Sequence, residues 1–205
     1  MDSSENNRYQ QIHRYVSRFV QLTPAEFELF NEALTPRLIP KKTLLLRAGD
    51  VCDFEGYINK GCIREYFIDR KGAELTLEFA VEDWWVSDIT SFENQTASSM
   101  YIETLEDCEI LMLSRSAKEA LLQKVPKLER MFRLMIQRHL TVVQNRLFKS
   151  MVFSAMDKYM AFIKRYPTIS QRVPQHYIAS YLGISPEFLS RLRKRHQKNG
   201  GDVSE

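Results

Sequence analysis

The hydrophobic period of this 205-residue chain switches from strand-like to helical at Ser114. Between residues 37 and 113, short stretches of Val, Ile, Leu, Phe and Tyr are cut by turn signals at Ala48-Gly49-Asp50, Asn59-Lys60-Gly61 and Asp69-Arg70-Lys71-Gly72. Segments such as Ile63–Ile68 and Leu75–Phe79 are strand-like, and turns about every ten residues point to an antiparallel roll or sandwich. From Ser114 onward the apolar residues recur at helical spacing. A strand-rich stretch followed by a helical one defines an α+β chain, with an N-terminal antiparallel β-roll and a helical C-terminal part.

Charge divides the chain at the same place. Residues 1–113 hold 11 Lys and Arg against 20 Asp and Glu, a net of −9, whereas residues 114–205 hold 18 against 6, a net of +12. Asymmetry of this kind predicts two modules, the basic one facing a polyanion such as nucleic acid or an anionic membrane. No apolar run approaches the ~18 residues of a membrane span. The polar N-terminus, Met1 to Gln11, lacks the apolar segment of a secretion signal. Three scattered cysteines (Cys52, Cys62, Cys108) argue against a disulfide framework and fit a reducing cytosol. The expected location is therefore cytoplasmic, with no membrane partner.

Helix signals organise the rest. Thr23-Pro24-Ala25-Glu26 combines a cap, a proline at the first helical position and a capping-box acid. Ser116 to Glu119 has a similar pattern and predicts a short helix. Pro126 opens a long helix carrying two apolar stripes. Phe132, Ile136, Leu140, Val143 and Leu147 form one, and Leu128, Met131, Met135 and Val142 form the other. Two stripes call for two packing partners. One is expected to be the chain's own β domain and the other the same helix of a second subunit, with Leu128, Met135 and Val142 assigned to the dimer. Ser154 and Asp157 mark a fresh helix start. The expected domains are a β-roll sensor over 1–125, a dimerisation helix over 126–150 and a helical domain over 154–205.

Residues 175–194, QHYIASYLGISPEFLSRLRK, have the layout of a helix-turn-helix. Ile178, Ala179 and Leu182 give the first helix an apolar face. Gly183 supplies the positive φ of a tight turn. Ser185 caps the second helix and Pro186 takes its first position. Leu189 and Leu192 turn inward, leaving Ser185, Pro186, Glu187, Ser190, Arg191 and Lys194 outward. In such a motif the second helix enters the major groove and its N-terminal half reads bases. Arg191 can bond both acceptors of a guanine, and Glu187 can accept from cytosine N4. Arg193, Arg195 and Lys198 extend the positive charge toward phosphates.

A β-rich acidic N-terminal domain, a long helix and this helix-turn-helix together resemble the Crp/Fnr family of bacterial transcription regulators, over about residues 15–198. The run Gly183-Ile184-Ser185-Pro186-Glu187-Phe188-Leu189-Ser190-Arg191 carries the resemblance most specifically. It implies a cyclic-nucleotide-binding-type β-roll, dimerisation through the long helix and a pseudo-palindromic double-stranded DNA site. RNA polymerase and a small-molecule effector of unknown identity are further partners that it leaves open. The effector positions depart from the family pattern. Asp88 stands where cyclic-AMP-binding members place a ribose-binding Glu, and Ser98 and Ser99 stand where they place the phosphate-binding Arg-Ser pair. Val143 and Gln144 replace hydroxyl residues of the long helix. Without the Arg a buried phosphate loses a charge-assisted pair, so cyclic AMP is not expected to bind and no cofactor is assigned. Many family members follow the recognition helix with a β-hairpin wing. Here only about seven residues follow Lys198, so the wing is expected to be short or absent.

Enzymatic readings lack residues to carry them. The four histidines are His13, His139, His176 and His196, so the β domain offers none for a metal, and no nucleophile-elbow sequence occurs. No catalytic or metal site is assigned. The competing reading is a ligand-sensing or protein-interaction module without a DNA role.

Overall fold

The structure, a computed structural model, describes residues 3–199, and the surroundings of the side chains over 8–195. The chain forms two compact units: residues 1–66 with 79–142, and residues 67–78 with 143–205.

The first unit opens with helices α1 (Ser3–Val16) and α2 (Pro24–Ala33). The start of α2 is the capping box expected from sequence: Thr23 Oγ1 accepts from the Glu26 amide, and the Glu26 carboxylate accepts from the Thr23 amide at 2.7 Å. Eight strands follow: β1 (Leu34–Ile39), β2 (Leu44–Leu46), β3 (Phe54–Lys60), β4 (Ile63–Ile68), β5 (Glu74–Ala80), β6 (Trp85–Val86), β7 (Tyr101–Thr104) and β8 (Cys108–Ser114). They form two four-stranded sheets, in the orders β1-β8-β3-β6 and β2-β7-β4-β5, and every pairing given by register is antiparallel. The short α3 (Ile89–Asn94) lies between β6 and β7, and α4 (Arg115–Lys124) follows β8. Helix α5 (Lys127–Val152) starts in this unit and ends in the second.

Strand β8 explains how one sheet serves two cores. Its run Cys108-Glu109-Ile110-Leu111-Met112-Leu113 is apolar at nearly every position, as in a strand covered on both faces. Cys108, Ile110 and Met112 point into the roll, among Leu46, Phe54, Ile63 and Phe92. Leu111 and Leu113 point the other way, among Ile12, Val16, Phe30, Leu121 and Leu128. Trp85 belongs to this second core, edge-on to Tyr57 and Phe132.

One cap differs from the sequence reading. Helix α4 is capped by Ser114, whose Oγ accepts from the Ala117 amide, and not by Ser116. Ser114 ends β8 with extended backbone (φ −74°, ψ 160°), the conformation that an N-cap requires, whereas Ser116 is already helical.

Leu128 requires a larger correction. It is fully buried, together with Met131, in the core of its own unit, and Met135 is half-buried against the same core. Leu128 therefore has no surface to offer a second subunit. Val142 is half-buried as well. The exposed stripe of α5 is the other one: Ile136 (40% exposed), Leu140 (52%), Val143 (46%) and Leu147 (57%).

A buried ion pair crosses the first unit. The Lys118 ammonium on α4 donates to Glu55 on β3 at 3.0 Å and to Glu93 on α3 at 3.2 Å. It also sits 5.1 Å from the Phe92 ring centroid and 4.8 Å from that of Phe132. Burial pushes the Glu55 carboxyl above its ordinary range, and the Lys118 charge opposes that push.

The second unit consists of α6 (Ala155–Arg165), α7 (Ile169–Arg172), α8 (Gln175–Leu182), α9 (Pro186–Asn199), the end of α5 and residues 67–78, the tip of the β4–β5 hairpin. Ser154 and Asp157 form the capping box of α6. Phe162, Tyr166 and Tyr181 pack ring against ring, with centroids 5.2–5.9 Å apart. The C-terminal tail and any wing after α9 lie outside the described residues.

Removing one member of a buried ion pair leaves the other charge uncompensated, at a cost of about 3–5 kcal/mol. Lys118→Ala is expected to lower unfolding free energy by that order, measured by urea denaturation followed by circular dichroism. The double variant Lys118→Met with Glu55→Met should recover most of the loss.

Candidate nucleic-acid interface

The helix-turn-helix forms for local reasons. Helix α8 stops because Gly183 adopts φ +68°, ψ 35°, a left-handed conformation that strains residues with a Cβ. The Gly183 amide turns back to Ala179 and Ser180, and the Ile184 amide bonds Ala179 O at 3.0 Å, which satisfies the last carbonyls of α8. Ser185 then accepts from the Phe188 amide through Oγ at 3.2 Å and from the Leu189 amide through its carbonyl at 3.0 Å. Pro186 begins α9. Ile178, Ala179, Leu182, Leu189 and Leu192 are buried and hold the two helices together.

This seating leaves Ser185, Pro186, Glu187, Ser190, Arg191, Lys194 and Arg195 exposed, the whole set assigned from sequence. Pro186, Glu187, Ser190 and Arg191 line one shallow, open depression. Backbone and Ser185 hydrogen bonds, with the Arg191 charge a smaller cause, hold the Glu187 carboxyl below the usual carboxylate range. The Arg191 guanidinium lies 5.5 Å from the Phe188 ring centroid. Among the described residues it makes no ion pair with Glu187, so its donors remain available. Arg193 is half-buried. Lys198 lies outside the side chains described.

The hairpin tip is fastened to this unit by contacts that the sequence analysis did not find. Ser180 Oγ on α8 donates to the Glu74 carbonyl at 2.7 Å and accepts from the Thr76 amide at 2.9 Å. Arg165 on α6 pairs with Glu78 at 2.6 Å, and Arg146 donates to the Leu77 carbonyl. These partners are 69 to 106 residues apart, so no local pattern signals them.

Asp88 and Ser98, two of the residues assigned from sequence to an effector pocket, are engaged in hydrogen bonds within their own unit. Asp88 caps α3: Oδ1 accepts from the Ser91 amide at 3.1 Å. Oδ2 accepts from Ser98 Oγ at 2.7 Å, and the Met100 amide donates to the same hydroxyl at 3.0 Å. Asp88 and Ser98 are both buried, whereas Ser99 is exposed. Next to this network Ser91 Oγ accepts from the Cys52 amide and donates to the Thr96 carbonyl. Val143 and Gln144 belong to the second unit, where both are exposed on α5, Val143 within the apolar stripe. Elsewhere in the first unit, Phe92, Leu122, Phe132, Arg133 and Ile136 border a trough of about 420 Å³.

The first unit is thus a two-sheet roll with a capped helix between β6 and β7, and the second unit carries a helix-turn-helix. Residues 36–125 match the family model described as a cyclic nucleotide-binding domain. A curated relative, the anaerobic regulatory protein of Haemophilus influenzae, is 26% identical over 175 residues, which cover 79% of this chain and 66% of the relative. The chain thus spans just under two thirds of that relative's length. Among solved structures, FixK2 from Bradyrhizobium japonicum is similar at a TM-score of 0.72 and 16% identity, covering 82% of this chain and 86% of that one. The catabolite activator protein of Thermus thermophilus is similar at 0.56 and 22% identity, covering 87% and 85%. The chain thus carries a cyclic nucleotide-binding-type domain over residues 36–125 and is similar in fold to regulators of the Crp/Fnr family.

The closed Asp88–Ser98 contact gives a direct test. Ser98→Ala strips a buried carboxylate oxygen of its partner, which costs about 1–3 kcal/mol. A loss of that order in unfolding free energy is expected, whereas Ser99→Ala, at an exposed position, should leave stability unchanged within ~0.5 kcal/mol.

Proposed function

We propose that the protein is a homodimeric, sequence-specific DNA-binding transcription regulator whose cassette does not take cyclic AMP. The observation that carries this reading is α9: a helix seated by two buried leucines and a capped start, with Glu187, Ser190, Arg191, Lys194 and Arg195 all exposed. That surface has the donors and acceptors needed to read base edges and to neutralise phosphates. A net of +12 over residues 114–205 supplies the electrostatic attraction to a polyanion. A two-fold dimer would set two such helices in successive major grooves, about 34–36 Å apart.

The dimer reading rests on Ile136, Leu140, Val143 and Leu147. Their 4-3-4 spacing is that of a coiled-coil seam, and an exposed stripe of this length calls for a covering surface. The cyclic AMP reading rests on Asp88 and Ser98. A phosphate entering there would meet a buried carboxylate, with a serine and not an arginine at 98, and would have to break the Asp88–Ser98 bond. The trough of the first unit favours a second reading for the sensor half, in which an effector of another class binds away from the cassette. No group in the proposal performs catalysis.

Three outcomes are expected. Leu140→Glu with Leu147→Glu should convert the dimer to monomers in sedimentation and abolish specific DNA binding. A wild-type protein that sediments as a monomer at micromolar concentration would remove the dimer. Arg191→Ala should relax base preference at one symmetric pair of positions, by about 1–3 kcal/mol of discrimination, in a selection of random duplexes. Lys194→Ala and Arg195→Ala should instead weaken all sequences alike and flatten the salt slope. Calorimetry with cyclic AMP should register no binding at micromolar concentration. An affinity for duplex DNA insensitive to salt between 50 and 200 mM would favour the protein-interaction module, because about 6–10 phosphate contacts predict a loss of about 10³–10⁵.

A further inference from the structure

We infer that Phe188 is an apolar base reader that recognises the 5-methyl group of a thymine next to the guanine taken by Arg191; the assignment rests on the DNA-binding reading above. Phe188 lies in the first turn of α9, where its amide donates to Ser185 Oγ. Residues at that end of a recognition helix meet base edges. The ring is 36% exposed, although its neighbour Leu189 is fully buried and Leu192 is 8% exposed. Those two leucines seat the helix against α8, so the packing of the motif does not account for a large ring at 188. Among the described residues of α9 it is the one large apolar side chain left in water.

Its surroundings fit a role in the groove. The neighbouring exposed side chains, Glu187, Ser190 and Arg191, are polar or charged, and the Arg191 guanidinium lies 5.5 Å from the ring centroid. Ring and guanidinium, at i and i+3 on the helix, thus form an adjacent apolar and cationic pair. The major-groove edge offers complementary features: guanine N7 and O6 accept from an arginine, and the thymine C5-methyl is the one apolar group there, which phenylalanine can contact. A helix carrying both would select a guanine and a thymine on neighbouring base pairs. Contact with the methyl would also withdraw the exposed part of the ring from water, a gain that other bases do not provide.

Replacing thymine by uracil removes only that methyl, which makes the test specific. A half-site is first obtained by selecting random duplexes with the full-length protein. Each thymine is then replaced in turn by uracil, symmetrically in both half-sites, and affinity is measured by fluorescence anisotropy at fixed salt. One symmetric position should weaken about fourfold per half-site, or about 15-fold for the two-fold site, the equivalent of one buried methylene in each. Phe188→Ala should bind the thymine and uracil duplexes equally. Phe188→Leu should keep part of the difference and controls for folding. Substituting 7-deazaguanine at the neighbouring guanine should still weaken Phe188→Ala but not Arg191→Ala, which separates reading by the ring from support of the arginine. Equal binding of thymine and uracil duplexes by the wild type, or an undiminished uracil penalty in Phe188→Ala, would overturn the assignment to Phe188 and leave the DNA-binding reading standing. Absence of any salt-sensitive duplex binding would overturn both.

Discussion

The first unit depends on where one ammonium group is kept. Lys118 reaches from α4 to Glu55 on a strand and Glu93 on α3, and its charge faces the rings of Phe92 and Phe132. A lysine this buried is stable only when paired. Because its partners come from β3, α3 and α5, no one of these elements shifts without disturbing the ion pair or its aromatic walls. The two carboxylates differ in kind: Glu55 is almost wholly buried, while the Glu93 side chain is 53% exposed. The Glu55 contact is therefore the structural one, and the Glu93 contact, screened by water, is the one that exchanges at low cost.

The parts legible in sequence were those whose physics is local. The helix-turn-helix needs a residue able to take positive φ, a cap one turn before the first buried leucine and small or apolar positions at fixed offsets, and all of these fall within the ten residues from Ala179 to Phe188. The capping boxes at Thr23 and Ser154 are equally local and form as written. The β-roll was legible as a class from its turn spacing. Its sheet order was not, since β1 pairs with β8 and β2 with β7 across more than fifty residues.

Where the reading erred, the missing information was long-range. Both stripes of α5 are apolar at helical spacing, and periodicity alone does not say which one meets the chain's own core. The core surrounds the start of the helix on several sides, burying Leu128, Met131 and Phe132 alike, and then covers one side only, so that exposure begins at Ile136. Residues 67–78 present the same problem in another form. They alternate like any hairpin, yet Thr76 and Glu78 are buried and their neighbours Leu75 and Leu77 are exposed. Glu78 meets Arg165, and the strand backbone meets Ser180 and Arg146. Nothing in the segment itself distinguishes a free hairpin tip from one held by a helical unit.

The surroundings of α3 and the outer face of α9 treat their polar groups in opposite ways. Around α3 the buried polar groups bond to one another: Asp88 binds an amide and a hydroxyl, Ser98 binds a carboxylate and an amide, and Ser91 joins two loops. A ligand there would have to replace bonds already made in a buried setting, where each costs more to break than in water. On α9 the polar groups are exposed, and Arg191 keeps its five donors free of any carboxylate among the described residues. A partner that met α9 would replace only contacts with water. The same contacts explain how a buried Asp88 is tolerated: with Ser98 and the Ser91 amide as its partners the carboxylate is hydrogen-bonded within its own unit. An arginine at 98 would pair with Asp88 before it met any phosphate, so Ser98→Arg alone would produce an internal ion pair and not a nucleotide site.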